Sequence, residues 1–201
     1  MREHRYDVAD INVHPRFGRV AQFDFDYALI RLARPIDFIS HGNIRPVCLP
    51  AYDSYSDLVG RLAEVSGWGV INPANPNVQA RKLQQVSVKV MSRKSCKEKY
   101  PVNPITDSMM CAAAPNRDAC FGDSGGPMTM RDGSGPAVLE GVISWGKNCA
   151  KSQWPGVYAR VGYVLNWIKD NTRDANFCSK RNTTKRKLDV PFDEDRVVFQ
   201  Q

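Results

Sequence analysis

The chain has 201 residues, 42% hydrophobic and 24% charged, which suits one sizeable core or two small lobes and excludes a compositionally disordered chain. No apolar run approaches the ~20 residues that span a bilayer, and the charged opening MREHRYD is not the apolar core of a signal peptide. The net charge of +7 comes from scattered basic residues, with one cluster from Lys180 to Lys187, so it reads as a solvated basic face with neither nucleic acid nor membrane as partner.

Short β-type runs separated by Gly, Pro and Asn turns fill most of the sequence. In chain order they are YDVADINV (6–13), YALIRL (27–32), RLAEVSGWG (61–69), KLQQVSVKV (82–90), AVLEGVISW (137–145) and GVYARV (156–161). The pattern is all-β. Two stretches read as helical: SRKSCKEKY (92–100), around Cys96, and YVLNWIKDN (163–171), whose Val164, Leu165, Trp167 and Ile168 share roughly one face. From about Asp174 the periodicity stops, and 174–201 reads as a flexible charged tail.

The six cysteines, Cys48, Cys96, Cys111, Cys120, Cys149 and Cys178, show none of the CxxC spacings of zinc or redox sites. They read as an extracellular disulfide framework, with ~15 connectivities open to sequence alone. No metal or cofactor pattern is present. A glycosylation sequon at Asn182-Thr183-Thr184 agrees with a secreted, extracellular protein. An oxidising destination without an export signal leads to the expectation that Met1 is internal to a longer protein.

Gly122-Asp123-Ser124-Gly125-Gly126-Pro127 carries the chemistry. A serine between glycines can sit on a tight turn with its hydroxyl projecting, and the N–H groups of Gly122 and Ser124 can converge on a carbonyl oxygen under attack. In isolation a glycine-rich surface turn reads the same way. The context decides: Cys120 precedes the motif, and VISWGKNC (142–149) follows at a distance suited to a returning strand.

At this point the sequence resembles the trypsin/chymotrypsin-like serine peptidases, from roughly Tyr6 to Asn171. Val13-His14-Pro15-Arg16-Phe17 is similar to the family's HPxF strand end, and Asp26-Tyr27-Ala28-Leu29-Ile30 to its D[IY]AL[IL] element. Arg45-Pro46-Val47-Cys48-Leu49-Pro50 and Ser66-Gly67-Trp68-Gly69 match the inter-barrel connection and the first strand of the second barrel. The resemblance implies that Ser124 is the nucleophile and that Gly122 and Ser124 form the oxyanion hole. It also makes Asp26 the carboxylate that orients a histidine. Asp24 competes two residues away, and the hydrophobic run after Asp26 sets the register. Ser144, Trp145 and Gly146 resemble the strand that pairs with substrate, and Gly156 belongs to a pocket wall.

Asp118, six positions before Ser124, stands at the pocket-floor position. It implies cleavage after Arg or Lys, because a charge-assisted pair discriminates better than apolar contact. Phe121 and Asn148 occupy rim positions where the family more often has a polar residue and glycine.

The resemblance also pairs Cys96 with Cys111 and Cys120 with Cys149. It leaves Cys48 over, with an upstream regulatory chain favoured as its partner and Cys178 as the alternative. Implied partners are polypeptides with Arg or Lys at the cleavage site, and protein inhibitors. His4, His14 and His41 all lie outside the TAAHC-like context that the family uses. The expectation is therefore a serine endopeptidase whose catalytic histidine is absent from these residues, so that the chain alone is inactive. The alternative is a non-catalytic homologue that acts as a binding or regulatory module. The implied fold is a double antiparallel β-barrel whose first barrel is only partly present (1–34). A connection (35–60), a second barrel with a terminal helix (61–173) and the tail (174–201) follow.

Overall fold

The computed structural model describes residues 4–40, 44–71, 75, 78–114, 121–147 and 153–177. Its main feature is a closed barrel of six strands: β3 (Leu62–Gly67), β4 (Gln84–Val90), β5 (Met109–Ala113), β6 (Pro127–Met130), β7 (Val138–Trp145) and β8 (Gly156–Arg160). Their order around the barrel is β3-β4-β5-β8-β7-β6, with antiparallel pairing throughout. Closure pairs every strand on both sides and leaves no free edge.

Alternation explains the first strands. Ala63 and Val65 of β3, and Val88 and Val90 of β4, point inward, while Glu64, Ser87 and Lys89 point out. Inside, they meet Met110, Ala112, Met128, Met130, Ile143 and Tyr158, all buried. Each of the buried Val, Ile and Met side chains contributes about 1.5–3 kcal/mol relative to exposure. Gly141 makes room in this wall: a methyl there would lie 2.7 Å from Met110 Cε and 3.0 Å from Met128 Cε. The sequence pattern had not marked β5 and β6 as strands.

A four-residue helix, α1 (Tyr55–Leu58), inserts Tyr55 and Leu58 under one end of the barrel. Helix α2 (Arg93–Lys99) starts where the Ser92 side chain accepts the Ser95 N–H, the usual serine N-cap. Its Cys96 is joined to Cys111 of β5 across 15 residues of sequence. A loop of that size stabilises by about 3 kcal/mol through the unfolded chain. A 3-10 turn (Val161–Val164) leads into α3 (Leu165–Asn171), which is shorter than the helical pattern suggested because its first turn is the tighter one.

Before the barrel lies a two-stranded antiparallel sheet, β1 (Val8–Val13) and β2 (Ala28–Leu32). Directly opposed residues share a face, so the pairs Ile11↔Ile30 and Val13↔Ala28 make one apolar face. That face is open: Ile11 is 58% exposed and Ile30 61%. The opposite face is tied to the chain beyond the barrel. Asn12 bonds Asn171 at 2.8 Å, and Arg31 grips Asp174 at 2.6 and 3.0 Å. Ordered contacts thus continue past α3 into residue 174. His14 adds an aromatic link, with its ring 4.5 Å from Phe25 and 4.7 Å from Trp167.

The connection returns along the barrel. Cys48 forms a parallel bridge with Val138 and exchanges backbone bonds with Ala137 and Leu139. It is disulfide-bonded, and its partner lies outside the described residues. Asp118, Cys120, Cys149, Cys178, His41, Asn148 and the basic cluster Lys180–Lys187 also lie outside them.

Candidate active site

The serine turn is built from its glycines. Gly122 has φ +95° and Gly125 φ +81°, left-handed values that bracket Asp123 and Ser124 and that side chains with a Cβ rarely adopt. Gly126 donates to the Asp123 carbonyl at 2.8 Å, closing the turn. The turn is then fastened to β7: Gly125 donates to Ile143 O at 2.8 Å, and Ile143 donates back to Gly126 O at 2.9 Å. Ser124 is left exposed at the apex.

Asp123 turns away from that apex. Its Oδ1 accepts the Gly69 N–H at 2.7 Å. A methyl on Gly67 would stand 2.0 Å from that oxygen, and one on Gly69 2.4 Å from the carboxyl carbon. The Gly67-Trp68-Gly69 segment is therefore a socket that only glycines can form around this carboxylate.

Asp26 reaches the same place from the other side. Its Oδ2 accepts the Ser144 hydroxyl at 2.6 Å, and Ser144 is the residue after Ile143 on β7. The turn that carries Ser124 and the carboxylate of Asp26 thus rest on consecutive residues of one strand, about 3.3 Å apart along its axis. Trp145 follows, packed against Phe23 at 6.0 Å and Tyr100 at 4.9 Å, with its indole N–H buried and without a partner. These two aromatic neighbours were not singled out in the sequence; only long-range packing brings them here. Next, Gly146 faces Gly156, and a methyl on Gly146 would meet the Gly156 Cα at 3.9 Å. The two backbones run close to one another here.

The sequence-level competitor, Asp24, is placed elsewhere. It is 2% exposed, and its Oδ1 accepts the Thr106 hydroxyl at 2.6 Å and the Ser108 hydroxyl at 2.9 Å. Of the described histidines, neither His4 nor His14 hydrogen-bonds Asp26 or Ser124. His14 is buried, and its Nδ1 accepts the Arg16 N–H at 3.2 Å. Burial holds its pKa below the ordinary value, with Arg16 adding to the effect and Asp24 opposing it. It is a neutral ring packed in an aromatic cluster. Among the described residues no group of three His, Cys, Asp or Glu side chains is placed to hold a metal.

The family model described as Trypsin matches residues 1–168. The chain belongs to the trypsin family. It is 40% identical over 169 residues to transmembrane protease serine 9 of Rattus norvegicus, covering 83% of this chain and 15% of that protein. It is 36% identical over 173 residues to trypsin-1 of Astacus astacus (84% of this chain, 68% of that protein). With trypsin 5G1 of Aedes aegypti the identity is 38% over 166 residues (81% and 58%). The chain therefore spans about a seventh of the first of these relatives and 58–68% of the two trypsins. The trypsin-like fold accounts for the closed barrel, the second sheet and the short terminal helix. No helix among the described residues is long and apolar enough to cross a membrane.

Proposed function

We propose that the chain carries the nucleophile, the oxyanion donors and the orienting carboxylate of a secreted serine endopeptidase that cleaves after Arg or Lys. The observation that carries this reading is the shared strand: Gly125 is bonded to Ile143 and Asp26 to the next residue, Ser144. Ser124 attacks the peptide carbonyl, and the N–H groups of Gly122 and Ser124 take up the charge on its oxygen. Asp26 holds a histidine in its working tautomer. That histidine removes the serine proton and later protonates the leaving amine, and water then releases the acyl group.

None of the described histidines is placed as that base. His14 is committed to the aromatic cluster, His4 lies before β1, and neither bonds Asp26. Asp118 supplies the charge that selects a basic side chain, and Gly146 and Gly156 put no side chains of their own on the walls beside it. Disulfide bonding at Cys96, Cys111 and Cys48 supports an oxidising, extracellular location. Protein inhibitors remain the expected partners besides substrate, whereas an upstream chain cannot be tied through Cys48 while that residue is bonded within the chain.

The direct test is turnover of an arginyl ester by the purified 201-residue chain. In an unrelated serine protease fold, loss of the histidine lowers turnover by about 10⁶-fold, so no rate above background is expected. A rate near that of trypsin, abolished by Ser124→Ala, would overturn the reading that these residues lack the base.

A further inference from the structure

We propose that Asp24 is a positioning residue that aims Asp26, by holding Phe25 in a left-handed backbone conformation against Ser108. The inference rests on the reading of Asp26 as the orienting carboxylate. Phe25 has φ +51°, the one positive value among described non-glycine residues. An aromatic side chain disfavours that region, and such a conformation persists only where its surroundings over-determine it.

The surroundings do so through Ser108, more than 80 residues away in sequence. Its hydroxyl donates to Asp24 Oδ1 at 2.9 Å and accepts the Phe25 N–H at 3.0 Å. One oxygen therefore bridges the carboxylate before the flip and the amide within it. Thr106 adds a second donor to the same Asp24 oxygen at 2.6 Å. Tyr27 fixes the far side, its hydroxyl donating to Ser108 O at 2.9 Å and reaching Arg160 O at 2.8 Å. Gly18 donates to Asp24 O at 2.9 Å, and the Arg16 guanidinium covers the Phe25 ring at 4.1 Å.

Residues 24, 25 and 27 are thus all fastened to Ser108, and residue 26 is the one left to project toward β7 and meet Ser144. A buried carboxylate without donors is unfavourable, so Asp24 and the two hydroxyls hold one another in place. Take away the Asp24 carboxylate and the Ser108 hydroxyl is free to turn from the Phe25 N–H. Phe25 then relaxes to an ordinary negative φ, a rotation of more than about 90° that re-aims the next side chain.

The test reads the carboxyl carbon of Asp26 by NMR in the full 201-residue chain, with aspartate labelled at Cγ. Ser144→Ala gives the reference shift for an Asp26 that has lost its hydroxyl donor. Asp24→Ala is expected to move the Asp26 signal most of the way to that reference. Asp24→Asn is expected to leave it close to the parent position, because one amide oxygen can accept both hydroxyls that now meet Oδ1. Val88→Ala, a cavity in the barrel core, lowers the melting temperature without moving the signal and so controls for general loss of stability. If Asp24→Ala does not fold, Ser108→Ala takes its place with the same expectation. An Asp26 signal unchanged in a folded Asp24→Ala or Ser108→Ala chain would overturn the proposal. The measurement needs no turnover, so failure of the peptidase reading would appear in the Ser124 assays and not here.

Discussion

Gly126→Ala is the substitution whose cost can be worked most directly from the serine turn. A methyl at this position would stand 2.7 Å from Asp123 O, 3.0 Å from Ile143 Cδ1 and 3.3 Å from Ser66 O. The Ile143 methyl can shift, but both oxygens belong to the main chain, so the turn itself must open. Opening it loses the Gly126 bond to Asp123 O, about 1 kcal/mol net, and the overpacking adds roughly 1–3 kcal/mol. The stiffer unfolded chain offsets about 0.4–1 kcal/mol of that. The net expectation is a loss of about 2 kcal/mol, and a chain of this size loses roughly 2–4 °C of melting temperature per kcal/mol. Thermal unfolding followed by circular dichroism should place Gly126→Ala ~4–8 °C below the parent. A melting temperature within ~1 °C of the parent would refute the claim that backbone crowding fixes this turn.

Other expectations are independent of that one. Gly146→Ala should be neutral in stability, because its methyl makes only an ordinary contact at 3.9 Å with Gly156 Cα. It should still weaken binding of benzamidine-like cations, if Gly146 lines the wall along which a basic side chain lies. Unchanged binding, measured by calorimetry, would move the pocket elsewhere.

Glu140 gives a pH signature. Burial raises its pKa to about 7, with Arg61 opposing and Asp132 and Asp53 adding to the rise. The protonated form is favoured in the folded state, so this stabilisation is complete below pH ~4.5 and is lost as pH rises through about 7. After discounting for solvent at a side chain that is only half-buried, the effect is about 1–2 kcal/mol. Urea unfolding between pH 5 and pH 8 should show that loss, and Glu140→Gln should flatten it; an equal slope in both proteins would contradict the assignment.

The disulfide of Cys48 follows from reach. A bridge needs Cα atoms within about 7 Å, and Cys48 sits beside Val138, some 23 Å of strand from Trp145, four residues before Cys149 in sequence. Cys120 adjoins Phe121, whose carbonyl accepts Val70 N–H past the Gly67 end of β3. Non-reducing peptide mapping of the purified chain should therefore link Cys48 to Cys178. A link to Cys120 or Cys149 would contradict the geometry.

Much of this architecture is legible in sequence because its cause is local. The alternation in β3 and β4 arises from one face meeting the barrel core and the other meeting water, so it is written residue by residue. Two strands escape that logic. β5 reads Met-Met-Cys-Ala-Ala and is buried on both sides, so there is no polar face to alternate. β6 is four residues long and opens on Pro127, which sequence reasoning takes as a breaker but which is tolerated at the first position of a strand.

The site divides the same way. Left-handed glycines around Ser124 announce themselves, since few residues but glycine fit there. The choice of Asp26 over Asp24 rests on the hydrophobic run that follows, and the structure gives the two carboxylates different companions, Ser144 for one and Thr106 with Ser108 for the other. Nothing in the local sequence signals Asp24's role or the left-handed Phe25. Both depend on a strand end that arrives 84 residues later in the chain.

The central claim is that Ser124 and Asp26 act together as parts of one peptidase site with basic specificity. It is tested most directly in the longest natural polypeptide containing these residues, by turnover of matched arginyl and leucyl esters. The account predicts hydrolysis of the arginyl ester in strong preference to the leucyl one, abolished by Ser124→Ala. Asp26→Asn should lower it about 10⁴-fold, a magnitude taken from this family's own triad. Turnover that survives Ser124→Ala would contradict it, and no turnover at all would contradict it in favour of a binding homologue of the family.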